Sequence, residues 1–383
     1  MGTPLVPRYG SGSLADVVPS IMAGLGVPGM AATLPLPEAR RVCLLLVDGL
    51  GWEQLRAHQA DAPFLTGLAG AEITAGFPAT TATSLTTIGT GVPSGVHGIV
   101  GYTFAVSDDE LINALSWGLH AGGKSVDFRD KYVPEQVQPV TTAFQRATDA
   151  GVLVRVATQR GFDGTGLTRA AFRGGEFAGV FGLGDLAMQA VDALNAASRV
   201  FCYAYHSELD LLGHVFGPGS KAWRYQLRQV DRLAATIAEE LPPDGMLVVT
   251  ADHGMVAVGQ DDRVDYDHEP RLREGVRMLG GEPRVRHVYT EAGALPDVRA
   301  AWIELLGDRA WLATRDEAIE AGWFGPEVAG YARRRIGDLV VAARGESAIV
   351  RTRVEPKMAA LNGQHGSLTA ADQLIPLLTA TAG

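Results

Sequence analysis

Residues 44–52 read LLLVDGLGW, an apolar run that stops on Asp48 and is followed at once by Gly49. With Arg41, Val42 and Cys43 ahead of it, the run has the look of a strand buried on both faces. An acid at the end of such a strand forms either a turn or a ligand. The same pattern recurs at 246–254, MLVVTADHG, where the strand-like run ends in Asp252, His253 and Gly254. A third run, 199–205 (RVFCYAY), leads into HSELDLLGHVFGP at 206–218.

Between these runs lie amphipathic stretches at 185–197 and 221–240, with apolar residues at helical spacing, and a further strand-like run at 152–157. Strands alternating with helices predict an α/β fold with a mostly parallel sheet. Ligands of such sheets gather at the carboxyl ends of the strands. The texture changes over 260–352, where short strands at 286–290, 310–314 and 338–343 and a helix at 297–306 are expected. This predicts a small α+β cap inserted into a core formed by 1–259 and 353–383.

The bulk composition sets bounds. The chain has 383 residues, 46% hydrophobic and 20% charged, with a net charge of −10. That balance argues against a surface that coats nucleic acid, and anionic substrates would need local cations. Cys43 and Cys202 each sit in an apolar run and are expected to be buried thiols, compatible with a reducing cytoplasm. No basic leader with a long apolar stretch stands at the start, and no run reaches the length of a membrane span. The expected setting is therefore cytoplasmic, without membrane partners. Oligomeric state is not legible.

The residues that could carry chemistry are acids and histidines at strand ends. Asp210 and His214 are four apart, so on one helical turn they share a face. Gly217 and Pro218 then stop the helix. His365 stands between Gln364 and Gly366, in a loop where backbone can approach a ligand closely. Asp48, Asp210, Asp252, His214, His253 and His365 form a set of three carboxylates and three imidazoles. Such a set suits zinc, with manganese as the next choice. Six ligands exceed one tetrahedral site and match two. Two metals roughly 3.5–4 Å apart form a clamp suited to phosphoryl transfer. His58, His97, His120, His206, His268 and His287 lack such context and are expected to be structural or at the surface.

Residues 76–102, GFPATTATSLTTIGTGVPSGVHGIVGY, carry six threonines and one serine between Thr80 and Thr90. A helix over 82–88 is expected. A hydroxyl at its start meets free backbone N–H groups, so Thr80 or Thr81 is either an N-cap or a nucleophile beside a bound phosphate. Divalent coordination would activate such a hydroxyl without a histidine base.

These segments together identify a resemblance. VDGLGW at 47–52, FPATTATS at 77–84, GTGVPSGVHGI at 89–99, ELDLLGHVFGP at 208–218, TADHGM at 250–255 and GQHG at 363–366 occur in order over some 320 residues. In this the chain resembles the alkaline phosphatase superfamily, in particular its nucleotide pyrophosphatase/phosphodiesterase branch. The resemblance implies a three-layer sandwich around a mostly parallel sheet. It implies one metal on Asp210, His214 and His365, and a second on Asp48, Asp252, His253 and the nucleophile. The family's F-P-x-x-T pattern places that nucleophile at Thr81. Zinc, a phosphothreonine intermediate and a small phosphodiester or pyrophosphate substrate follow as expectations, with a phosphomonoesterase, a phosphonate hydrolase or a non-catalytic metal- or anion-binding protein as alternatives. Where the family often carries an Asn that holds a phosphate oxygen, this chain offers Ser84. Sulfatases differ in the nucleophile segment, and no basic residue lies between Arg56 and Lys124 to serve a monoester dianion. Tyr102, Phe104 and Trp117 are candidates for stacking on a base, with Tyr102 the first choice, and specificity is expected in the cap and loops.

Overall fold

The computed structural model describes residues 2–120 and 127–382; Lys124 lies outside them. A seven-stranded sheet forms the centre, in the order Ala69–Thr74, Leu374–Thr381, Gly245–Thr250, Arg41–Val47, Val200–His206, Leu153–Gln159, Glu176–Val180. The five strands from Gly245–Thr250 to Glu176–Val180 are mutually parallel, and Leu374–Thr381 runs antiparallel to both neighbours. The expected α/β fold is thus present. Arg41–Val47 sits between two parallel partners, and all of its residues after Arg41 are buried. This explains its unbroken apolar run: a strand covered on both faces has no solvent side to mark with polar residues.

Register decides where the acids fall. Val47 pairs with His206, and Leu46 with Thr250. The three strands therefore end level, and Asp48, the turn at Ser207 and Asp252 emerge at one edge. Cys43 pairs with Cys202 in the same ladder, and both are free and buried. Helices Leu183–Ala196 and Lys221–Glu239 pack on the sheet. The second begins at Ser220, whose hydroxyl accepts from the Trp223 N–H, and buries Trp223, Leu227, Val230, Leu233, Ala234 and Ile237 at intervals of one to four residues.

A second sheet, wholly antiparallel, has the order Val276–Glu282, Val285–Thr290, Leu339–Ala343, Ala310–Thr314. Helix Leu295–Leu306 accompanies it. The strand and helix segments expected at 286–290, 297–306, 310–314 and 338–343 lie within or overlap these elements. Along Leu339–Ala343 burial alternates in kind: Val340 and Ala342 join the main core, while Leu339, Val341 and Ala343 join a separate cluster with Leu272, Val288 and Trp302. Both faces are apolar because both are covered. Among the described residues, no helix is long and apolar enough to cross a membrane.

Candidate active site

Asp48 leaves its strand with its N–H still donating to the His206 carbonyl at 2.9 Å. Gly49 then turns with φ +72°, and a Cβ there would lie 3.0 Å from the Cα, Cβ and Oδ1 of Asp210. Glycine is required because Asp210, in the first turn of helix Glu208–Phe216, comes up against this turn beside Asp48. The Gly49 N–H donates to Asp252 Oδ1 at 3.0 Å. The acid-glycine step thus draws three carboxylates together.

The three histidines share one orientation. Nδ1–H of His253 donates to the Gly254 carbonyl (2.9 Å), that of His214 to Gly363 (2.7 Å) and that of His365 to Ala79 (2.9 Å). A carbonyl only accepts, so each Nδ1 carries a proton, and Nε2 is the ring atom turned toward the cluster and able to hold a metal. Nε2 of His253 lies 3.2 Å from Asp252 Oδ2, 3.4 Å from Asp48 Oδ1 and 3.3 Å from Thr81 Oγ1. Nε2 of His214 lies 3.3 Å from Asp210 Oδ2. The rings of His253 and His365 stack at 3.6 Å.

Electrostatically the arrangement suits a cation. Burial pushes Asp210 up to about 7 despite the opposing pull of His214. Burial does the same to Asp252, also to about 7, with repulsion from Asp210 adding to it. Asp48 is raised well above the carboxylate range by burial and then by Asp252. His365 is held well below the usual imidazole value by burial and then by His253 and His214. Burial also lowers His253. Asp48 Oδ1, Asp210 Oδ1 and Asp252 Oδ2 are buried without a hydrogen-bond partner. Carboxylate oxygens facing imidazole lone pairs repel one another, and divalent ions reverse both signs of strain at once. Ligand atoms of Asp210, His214 and His365 lie within 4.8 Å of one another, and so do those of Asp48, Asp210 and His253. The donor set therefore fits bound metal. Proximity puts Asp210 in both groups, whereas the resemblance assigned it to one; Asp252 joins the second through His253.

Helix Thr81–Thr90 starts beside this cluster, with Thr80 as N-cap. The two threonines differ. Thr80 is buried and its hydroxyl donates to Glu282 Oε2 at 3.1 Å. Thr81 is half-buried, with Oγ1 toward His253. Ser84 is fully buried and its hydroxyl donates to the Asp252 carbonyl at 2.8 Å, which braces the end of a strand. His97 is structural, as expected, between Thr87 Oγ1 and the Ile99 N–H.

A cavity of about 410 Å³ opens beside Thr81, Asp48 and Asp210. Its outer wall includes Leu115, Phe162 and Leu211, each at least 36% exposed, with Gln159 and Tyr205 deeper. The expectation for Tyr102 is corrected: it does not line this cavity, and its hydroxyl accepts from Asn113 Nδ2 at 2.6 Å. Phe104 and Trp117 are fully buried in the core. No residue of 260–352 lines the cavity either. What the sequence did not reveal is Tyr205, which donates to Asp48 Oδ2, and Phe162. Tyr205 closes an apolar strand and reads as core. Phe162 lies in a polar stretch with no periodicity.

Among curated proteins, no sequence matches this chain. Solved structures do. Murine ectonucleotide pyrophosphatase/phosphodiesterase 5, as an inactive form in complex with AMP, is 18% identical with a TM-score of 0.68 over 89% of this chain and 88% of that one. The human ectonucleotide pyrophosphatase/phosphodiesterase 5 is 18% identical with a TM-score of 0.65 over 89% and 87%. Phosphonoacetate hydrolase from Sinorhizobium meliloti 1021, in complex with phosphonoformate, is 19% identical with a TM-score of 0.64 over 91% of each chain. At such identities the likeness concerns the fold, an alkaline-phosphatase-like α/β architecture. The sequence profile of type I phosphodiesterase / nucleotide pyrophosphatase matches residues 42–368, a span that contains every acid and histidine of the cluster. The chain belongs to the type I phosphodiesterase/nucleotide pyrophosphatase family.

Proposed function

We propose that the protein is a two-metal phosphohydrolase that cleaves phosphodiester or pyrophosphate bonds of small, nucleotide-like substrates, with Thr81 as nucleophile and zinc as the metal. The observation that carries this reading is the cluster itself: three buried carboxylates with unpartnered oxygens and three imidazoles with outward Nε2 atoms, converging where Thr81 Oγ1 meets a cavity. Asp210, His214 and His365 would hold one ion, and Asp48, Asp252, His253 and Thr81 the other. When bound, such ions lower the pKa of a coordinated hydroxyl and stabilise charge on phosphate oxygens.

The chain's own groups do the rest. Thr81 Oγ attacks phosphorus as its proton passes to solvent, and the bond to the leaving oxygen breaks with that oxygen keeping the electron pair, giving a phosphothreonine that water then hydrolyses to a phosphomonoester or phosphate and free Thr81. Backbone N–H groups at the head of helix Thr81–Thr90 face the phosphate, aided by the helix dipole. The Asp48 carboxylate is oriented by Tyr205, and the histidines by their carbonyl partners. Leu115, Phe162 and Leu211 favour an apolar or aromatic group on the ester. That favours a diester over phosphonoacetate-like anions. We also propose that residues 260–352 form an inserted unit on a core of 1–259 and 353–383, on the strength of its separate sheet and apolar cluster.

The test joins metal content to turnover. Elemental analysis of the purified protein is expected to give two divalent ions per chain, and zinc-loaded enzyme to prefer an aryl phosphodiester over the aryl monoester and phosphonoacetate. Thr81→Ala is expected to lower kcat by at least about 10³-fold, as loss of a nucleophile does, while retaining most of the metal. Near-full diesterase activity in that variant would remove Thr81 from the mechanism. Preference for the phosphonate would move the protein to the other substrate class.

A further inference from the structure

Strand Val276–Glu282 pairs with Val285–Thr290 through a tight hairpin in which Glu282 faces Val285 across Pro283 and Arg284. Three alternate residues at this hairpin, Glu282, Arg284 and Arg286, are charged and buried. Arg284 is bidentate to Asp372, at 2.9 and 2.7 Å, and Arg286 is bidentate to Glu355, at 3.2 and 2.8 Å. Glu282 is different, for no arginine faces it at ion-pair distance. Its Oε2 accepts from the Thr80 hydroxyl at 3.1 Å and lies 3.7 Å from Nδ1 of His365. Its Oε1 is buried without a hydrogen-bond partner.

We propose that Glu282 is a positioning residue, delivered by the inserted hairpin, that fixes Thr80 at the head of the Thr81 helix and packs against the Nδ1 side of His365. This rests on the proposed roles of Thr81 and His365. Two independent features point the same way. Thr80 is the N-cap of the helix, its side chain makes no capping hydrogen bond, and its hydroxyl donates to Glu282. The side chain of the residue next to Thr81 is thus held from another element and not by its own helix head. At the other side, Gly366 has φ +129°, and a Cβ there would stand 3.1 Å from Glu282 Oε1. The residue after His365 is thus one that leaves room for the carboxylate. The His365 Nδ1–H itself is taken by the Ala79 carbonyl at 2.9 Å, so Glu282 acts on the ring as a packed neighbour 3.7 Å from Nδ1. One side chain then touches the supports of both halves of the cluster, Thr80–Thr81 and His365–Gly366.

The experiment compares wild type, Glu282→Ala, Glu282→Gln and Thr80→Val, each as the full chain. Zinc affinity is measured by competition with a chelator, and kcat and KM with bis(p-nitrophenyl) phosphate at saturating zinc. Glu282→Ala is expected to weaken zinc binding and to lower kcat by about 10–100-fold each, with KM within about twofold. Glu282→Gln still accepts from Thr80 and keeps the shape packed beside His365. It is expected to recover most of kcat and most of the zinc affinity. Thr80→Val is expected to lower kcat and to spare zinc affinity. Wild-type values in Glu282→Ala would overturn the inference. So would equal losses in Ala and Gln variants accompanied by equal drops in the melting temperature of the metal-free proteins, which mark a purely structural role. If wild type itself takes up no zinc or cleaves no diester, the proposed function fails and the inference with it; variants that match an active wild type sink the inference alone.

Discussion

The carboxyl end of the main sheet and the hairpin of the second sheet both bury charge, and they do so in opposite ways. At the carboxyl edge of the main sheet Asp48, Asp210 and Asp252 face one another and three imidazoles, with an oxygen of each left unpartnered. At the hairpin, Arg284 and Arg286 meet Asp372 and Glu355 in bidentate pairs with both partners almost wholly buried. Burial raises Glu355, but Arg286 and His120 more than offset it, and the carboxyl is held down at about 2. One region has completed its electrostatics within the chain. The other leaves carboxylate oxygens unpartnered among the described residues, as a cation site would. Burial alone therefore does not mark a functional acid; burial without a compensating donor does.

The largest expected effect tests the completed side. Arg284→Ala strands the Asp372 carboxylate in the core and is expected to cost about 3–5 kcal/mol of stability, read by denaturant unfolding, with or without zinc. A loss that zinc abolishes would mean that the hairpin clamp and the metal cluster are one unit.

The next contrast is in pH. Asp210 and Asp252 have folded values of about 7 against 3.8, so in metal-free protein they bind more protons folded than unfolded. Their stabilising contribution is present below about 3.8 and is lost as pH rises toward about 7. Glu355 runs the other way: from 4.5 its folded value falls to about 2, so its contribution is present above 4.5 and is lost as pH falls toward 2. Melting curves of metal-free Asp210→Asn and Glu355→Gln are expected to differ from wild type mainly on opposite sides of this range. Adding zinc is expected to flatten the wild-type decline between about 4 and 7; no response to zinc there would break the contrast.

The smallest effect concerns substrate choice. Phe162 belongs to the segment after Leu153–Gln159, not to the second sheet. Phe162→Ala is expected to raise KM for an aryl diester by about 3–10-fold with kcat little changed, from loss of about 0.5–1.5 kcal/mol of aromatic contact. An unchanged KM would return specificity to residues 260–352.

Much of the site was legible because its elements obey local rules. Apolar runs ending in an acid mark strands that deliver side chains to one edge, and Asp210 with His214 needs only one helical turn. The Thr80–Thr81 choice was open from spacing alone, and only the resemblance favoured Thr81. Where Ser84 and Tyr102 turn was not legible, because a hydroxyl near a site can turn either way, and the direction depends on which carbonyl or amide lies across from it. The strand Leu374–Thr381 was expected only as a return to the main body, since a single antiparallel member of a parallel sheet has no separate pattern. Leu115, Phe162 and Leu211 look like ordinary apolar residues until the chain brings them around one cavity.

By itself the sequence determined the alternation of strands and helices, the acids and histidines able to hold cations, and the segment carrying the hydroxyl, since these depend on periodicity and side-chain chemistry a few residues apart. Tertiary structure alone decided which imidazole nitrogen faces inward, which acids keep unpaired oxygens, and that Glu282 reaches Thr80 across 202 positions. Those outcomes depend on partners far away along the chain, and the pairing of distant groups is set by sheet register and packing rather than by any local pattern.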